Sequence, residues 1–160
     1  MSTPNRYVPG FRLLNENQLK KRTYKVGIGV AIAFGDCLKH TLGYATLATT
    51  LQQTTAILLG IANSENTAAE AVADGTINVE VIPLDYNYDF IVPCEATDVL
   101  TQAQVGISYD LQTEDGIDEG DVVTAGKGFF VDAIDISSAA LAASATFGFA
   151  IGHFEDIFAS

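Results

Sequence analysis

The chain has 160 residues, enough for one domain with a sizeable core, and a formal net charge of −12. Charged residues make up 18%, below the ~25% usual for soluble domains, which suggests that part of the neutral surface is covered in an assembly. Residues 1–40 carry seven basic and two acidic groups (+5), and residues 41–160 carry one lysine against eighteen acids (−17). So acidic a body excludes direct nucleic-acid binding through clustered cations, while the basic N-terminal segment suits an acidic surface.

Residues 1–24 read as an extended arm, and 25–160 as the folded domain. Pro4, Pro9 and Gly10 argue against regular structure at the start. Tyr7, Phe11, Leu13 and Leu14 are apolar anchors among Arg6, Arg12, Lys20, Lys21 and Arg22. These nine residues form the candidate partner-binding set: apolar groups supply affinity and cations steer the encounter. The alternative is a strand or loop packed on the protein's own body. No apolar run marks a signal peptide here, and no apolar run reaches the ~18 residues of a membrane span, so a soluble cytoplasmic product is expected.

Tyr24–Phe34 alternates Val26, Ile28, Val30 and Ile32 with Gly27, Gly29 and Ala31, which predicts a strand large on one face and tiny on the other. Phe147, Phe149 and Ile151 against Gly148, Ala150 and Gly152 repeat the device. Such faces suit a tight barrel interior or a seam between subunits. Cys37–His40 is expected as a short strand, residues 41–56 are weakly patterned, and Ala56–Ala62 reads as a buried strand. Thr67 and Glu70 have capping-box spacing, for a short helix or a loop.

Thr76–Pro93 carries the longest strand signal, broken at Pro83 by a bend or sheet edge. Val105–Leu111 alternates as a half-buried strand and Asp115-Gly116 signals a hairpin turn. Strands are expected at Asp121–Thr124, Phe129–Ile136 and Thr146–Phe154, with Ser137–Ser144 as a linker. The count implies an all-β fold: a small antiparallel β-barrel or sandwich with an extended N-terminal arm and at most one or two short helices.

Catalytic motifs are missing. Gly27-Ile-Gly29 lacks the third glycine and the following helix of a dinucleotide fingerprint, so these glycines read as strand spacers. No phosphate-cradling Gly-Lys-Ser/Thr loop and no Gly-x-Ser-x-Gly elbow is present. Cys37 and Cys94 read as buried small hydrophobes rather than a disulfide framework or nucleophiles. His40 and His153 lack partners at zinc-site spacing. Asp85, Asn87 and Asp89, and the acids Glu114, Asp115, Asp118, Glu119 and Asp121, offer oxygens to a hard cation, but neither stretch matches an EF-hand loop and a solvated polar face is preferred. No catalytic residue, metal or cofactor is assigned.

Gly35-Asp36-Cys37-Leu38-Lys39, Ile57–Ala62, Gly75–Val81 and Phe90 together resemble the pattern of tailed-bacteriophage capsid decoration (cement) proteins. Val105-Gly106, Tyr109–Leu111, Phe129–Asp132 and Phe147–Phe154 are similar too, so the resemblance covers residues 26–154. It implies a non-enzymatic virion protein made in the host cytoplasm. Such a β-barrel sits on the capsid exterior, contacts the major capsid protein, assembles as a trimer and bridges capsomers, with no contact to nucleic acid or membrane. The alternatives are another virion component such as a head-fibre base or tail-tube subunit, a cytoplasmic β-barrel binding module, and a trimeric β-enzyme.

Overall fold

The computed structural model describes residues 8–14, 20–52, 57–84, 88–95, 99–123, 128–142 and 147–155. The first sheet contains, in chain order, β1 (Arg12–Leu13), β7 (Phe90–Pro93), β8 (Ser108–Thr113), β9 (Gly116–Val122), β10 (Phe129–Asp135) and β11 (Phe149–Phe154). The second contains β2 (Arg22–Lys25), β3 (Cys37–Thr41), β4 (Tyr44–Leu47), β5 (Ile57–Ala62) and β6 (Asn78–Ile82). Their spatial orders are β1-β7-β11-β10-β8-β9 and β2-β6-β5-β3-β4, with antiparallel pairing throughout. The architecture is all-β and sandwich-like rather than a closed barrel. Both sheets curl: single parallel bridges join Val26 to Ala45 and Cys94 to Ile117, without closing a ladder. No helix among the described residues is long and apolar enough to cross a membrane.

The Thr76–Pro93 signal resolves into β6 and β7, and the break at Pro83 carries the chain from one sheet to the other. Val79 and Val81 face a small core with Val26, Ile32, Leu38 and Ala45. Phe90 faces the main core that also holds Phe129, and its ring meets those of Phe11 and Phe154. Phe11 lies 4.9–6.1 Å from the other three rings, centroid to centroid. Several of these contacts are edge-on, the geometry that adds about 0.5–1.5 kcal/mol per pair beyond area burial.

The described parts of the N-terminal segment take the alternative of the two readings, strands packed on the protein's own body. Arg12–Leu13 and Arg22–Lys25 belong to the two sheets, because β1 pairs with β7 and β2 pairs with β6. The backbone N–H of Phe11 donates to Gly35 O at 2.8 Å, and that of Gly10 donates to Asp115 O at 2.9 Å. The segment thus laces the sheets together.

The two strands with tiny faces are also shorter than expected. After Lys25 the chain turns, with Gly29 at φ +70°, so Ile28 is thrown out to 61% exposure while Val26 and Ile32 stay buried. The last strand starts at Phe149, after Gly148 at φ +112°. A Cβ at Gly152 would sit 1.9 Å from Phe130 O, so the neighbouring strand of the same chain fills that face. A subunit seam is therefore not needed to explain Gly152.

Smaller differences have local causes. Ser138–Ala142 is a one-turn helix, α1, whose Ala140 packs with Ile91 and Phe149 on the outer face of the first sheet. Thr67 and Glu70 exchange the capping-box hydrogen bonds, but only a turn follows. The β8–β9 loop is Glu114-Asp115, one residue earlier than the Asp-Gly signal, because Thr113 pairs with Gly116. Asp110, expected on a polar face, is buried; its carboxylate accepts from Thr50 Oγ1 and from the N–H groups of Leu51 and Leu111, which pins the 50–51 turn to β8.

Candidate functional site

The nine residues expected to bind a partner are dispersed. Arg6 and Tyr7 lie outside the described residues. Phe11 is 2% exposed, so it anchors the protein's own core and presents nothing to a partner. Leu13 packs on that core and Leu14 is 42% exposed.

Arg12 is half-buried: Nη2 donates to Pro9 O at 3.1 Å and the guanidinium lies 5.2 Å from the Phe34 ring centroid. Its Nε is buried with no acceptor among the described residues. Desolvation lowers its pKa, while Asp36 and Glu65 oppose that shift. Lys20, Lys21 and Arg22 are exposed where the chain enters β2. Lys21 Nζ pairs with Glu80 at 2.9 Å, an exposed pair of little energetic weight.

β2 leads from these cations into one end of the second sheet, where two turns, 27–29 and 71–75, are tied together. Gly27 N–H donates to Ala45 O at 3.1 Å, Gly29 N–H to Ala71 O at 2.8 Å and Gly75 N–H to Val26 O at 2.9 Å. Ile28 N–H donates to Asp74 Oδ1 at 2.8 Å. From these turns Ile28 and Val72 project with 61% and 70% exposure, and Leu42 projects with 91% exposure from the separate β3–β4 turn.

Leu42 stands out. It has φ +51°, the one non-glycine residue with positive φ among those described, and Gly43 follows at +89°. Positive φ at both loop residues is the type I′ hairpin pattern, which strongly favours Asn-Gly. A bulky residue there is a genuine outlier and costs roughly 1–2 kcal/mol. His40 Nδ1 accepts from Gly43 N–H at 3.2 Å and braces the loop. The turn therefore holds an apolar side chain in water at a conformational cost. Nothing in the local sequence signals this, because Leu-Gly is not a turn pair until β3 and β4 are in register.

A second feature is an acidic cleft of about 750 Å³ between the 31–36 and 65–70 loops and the β8–β9 loop. Asp36, Glu65, Glu70, Glu114 and Asp115 line it. Burial, reinforced by Glu114 and Asp115, raises the Asp36 carboxyl to about 6; the Ala33 N–H and Arg12 oppose the shift. Glu95, beside Asp115, is raised for the same first reason. The cleft repels anionic ligands. Cys37 is fully buried, and desolvation with Asp36 and Asp110 nearby pushes its thiol far up, so it is no thiolate nucleophile. Cys94 is buried with Sγ donating to Glu119 Oε2 at 2.7 Å.

Of the expected cation-binding oxygens, Asp85 and Asn87 lie outside the described residues. Asp89 comes together instead with Asp132 and His153, their ligand atoms all within 4.8 Å of one another. His153 therefore has partners that spacing along the chain conceals. Comparison with known protein families, curated proteins and solved structures finds no match.

Proposed function

We propose that the protein is a capsid decoration protein that docks on the outer surface of a phage shell and stabilises it by bridging capsomers. The observation that carries this reading is Leu42, 91% exposed at φ +51° on a braced turn. Strain that folding does not require points to selection for contact. Ile28 and Val72 are further exposed apolar groups, on two turns of the same sheet tied to each other, and Lys20, Lys21 and Arg22 supply charge for orientation. The contact surface is thus moved from the arm to the turns it leads into. The resemblance along residues 26–154 supports the same assignment. Self-association as a trimer on the shell belongs to the same proposal and is read by light scattering of free and shell-eluted protein.

Co-sedimentation with undecorated phage capsids tests it. The wild type is expected to pellet with capsids. Leu42→Asn should bind at least tenfold more weakly while its isolated fold becomes more stable. A joint Lys20, Lys21 and Arg22 to Ser variant should bind more slowly, with reduced salt dependence. Full-affinity binding by Leu42→Asn, or no co-sedimentation of the wild type, refutes the proposal.

A further inference from the structure

Three adjacent strands of the first sheet bring Asp89, Asp132 and His153 to one spot on its outer face. β11 pairs with β7 through Ile151↔Ile91 and Gly152↔Phe90, so the next step of the register sets His153 opposite Asp89. On the other side His153 pairs with Phe130 of β10. Phe90 and Phe154 point into the main core, so alternation turns Asp89 and His153 outward. Asp132 reaches the same spot because β10 is irregular there: Val131 pairs with Gly152 and Ala133 with Ile151, which leaves Asp132 as the extra residue of a bulge. Bulges re-aim side chains in this way.

The histidine is oriented from both sides. Its ring lies 5.3 Å from that of Phe130 at 35°, and Nδ1 is 2.7 Å from Asp132 Oδ2. Asp89 and Asp132 are exposed and His153 is partly buried.

We propose that Asp89, Asp132 and His153 form a binding site for a divalent transition metal of the zinc class. Two carboxylate oxygens and one imidazole nitrogen, with further positions left to water, match the three-ligand open sites such ions take. Imidazole selects against calcium and magnesium, which prefer oxygen alone. Donors in a tetrahedral zinc site lie about 3.3 Å apart at ligand distances near 2.0–2.1 Å. The spread here runs up to 4.8 Å, and small rotations of two exposed carboxylates close it. The ion takes the place of the hydrogen bond between Nδ1 and Asp132, and the neutral ring then carries its proton on Nε2.

The experiment is calorimetric titration of the full chain with Zn²⁺ at pH 7, in millimolar Mg²⁺ to occupy non-specific acidic sites. Proton NMR of the two histidines, His40 and His153, is read alongside. The expected result is one equivalent bound, with the His153 signals shifted in step and those of His40 unchanged. His153→Ala, and separately Asp132→Asn, which keeps a hydrogen-bonding partner for the imidazole, should each weaken binding at least tenfold. Circular dichroism establishes that each variant is folded. Absence of stoichiometric Zn²⁺ binding, or binding unchanged in either folded variant, overturns the proposal.

Discussion

Replacing Phe11 by Ala separates a structural role for the N-terminal segment from a docking role. Phe11 is 2% exposed and lies against Phe90, Phe129 and Phe154 at 6.1, 5.4 and 4.9 Å. Burying its side chain contributes about 1.5–3 kcal/mol by transfer alone. Its removal also leaves a cavity walled by three rings on β7, β10 and β11, strands that hydrogen bonding holds apart. The neighbours therefore relax little, and the loss falls within the range of roughly 3–5 kcal/mol for Phe→Ala in a core. We take about 4 kcal/mol, which lowers Tm by roughly 8–16 °C for a domain of this size. Urea unfolding followed by circular dichroism is the assay, with Leu14→Ala as a control, since Leu14 is 42% exposed and its loss should stay within about 0.5 kcal/mol. A docking anchor behaves in the opposite way: Phe11→Ala would keep its stability and lose only shell binding. A loss below about 1 kcal/mol at an unchanged m-value would refute the packing argument.

Leu42→Asn should raise stability by about 1 kcal/mol, because Asn tolerates the left-handed conformation, and a lower urea midpoint would show that the turn is not strained. Asp36 is ordinarily near 3.9 in an unfolded chain and is raised to about 6 here, so the folded state binds its proton more tightly and stability falls as pH rises from about 4 to 6. Asp36→Asn keeps an acceptor for Ala33 N–H and should flatten that part of the Tm–pH curve; curves parallel to wild type would remove Asp36 as the cause. Gly152→Ala should prevent stable folding or cost several kcal/mol, since its Cβ meets Phe130 O at 1.9 Å; soluble protein with wild-type Tm would contradict the close β10–β11 approach. Asp110→Ala removes the acceptor for Leu51 N–H and should cost about 1–3 kcal/mol, measured by the same unfolding assay, with a neutral result placing the 50–51 turn elsewhere.

Where a strand has neighbours on both sides and one apolar face, its own residues identify it. Asn78–Ile82 follows the alternation read from the chain, because a period of two has one stable burial in a sheet. The same alternation over Val26–Ile32 misleads. Gly29 permits a positive φ that the hydrogen bond to Ala71 O captures, and a tertiary partner outweighs the local pattern.

Phe11 looks alike in sequence whether it serves a docking arm or a core. Its place depends on Phe90, Phe129 and Phe154, which lie far along the chain. The sites are less legible still. Leu42 becomes anomalous only when the β3–β4 register sets its φ, and Asp89, Asp132 and His153 meet only through the pairing of β7, β11 and β10 and the bulge at Asp132. Residue identity alone determined the β class, the charge asymmetry and most strand positions, because each rests on composition or short-range periodicity. Long-range pairing decided which apolar groups are core, which stay exposed and which polar side chains converge, because those depend on register between segments that the chain order leaves unspecified.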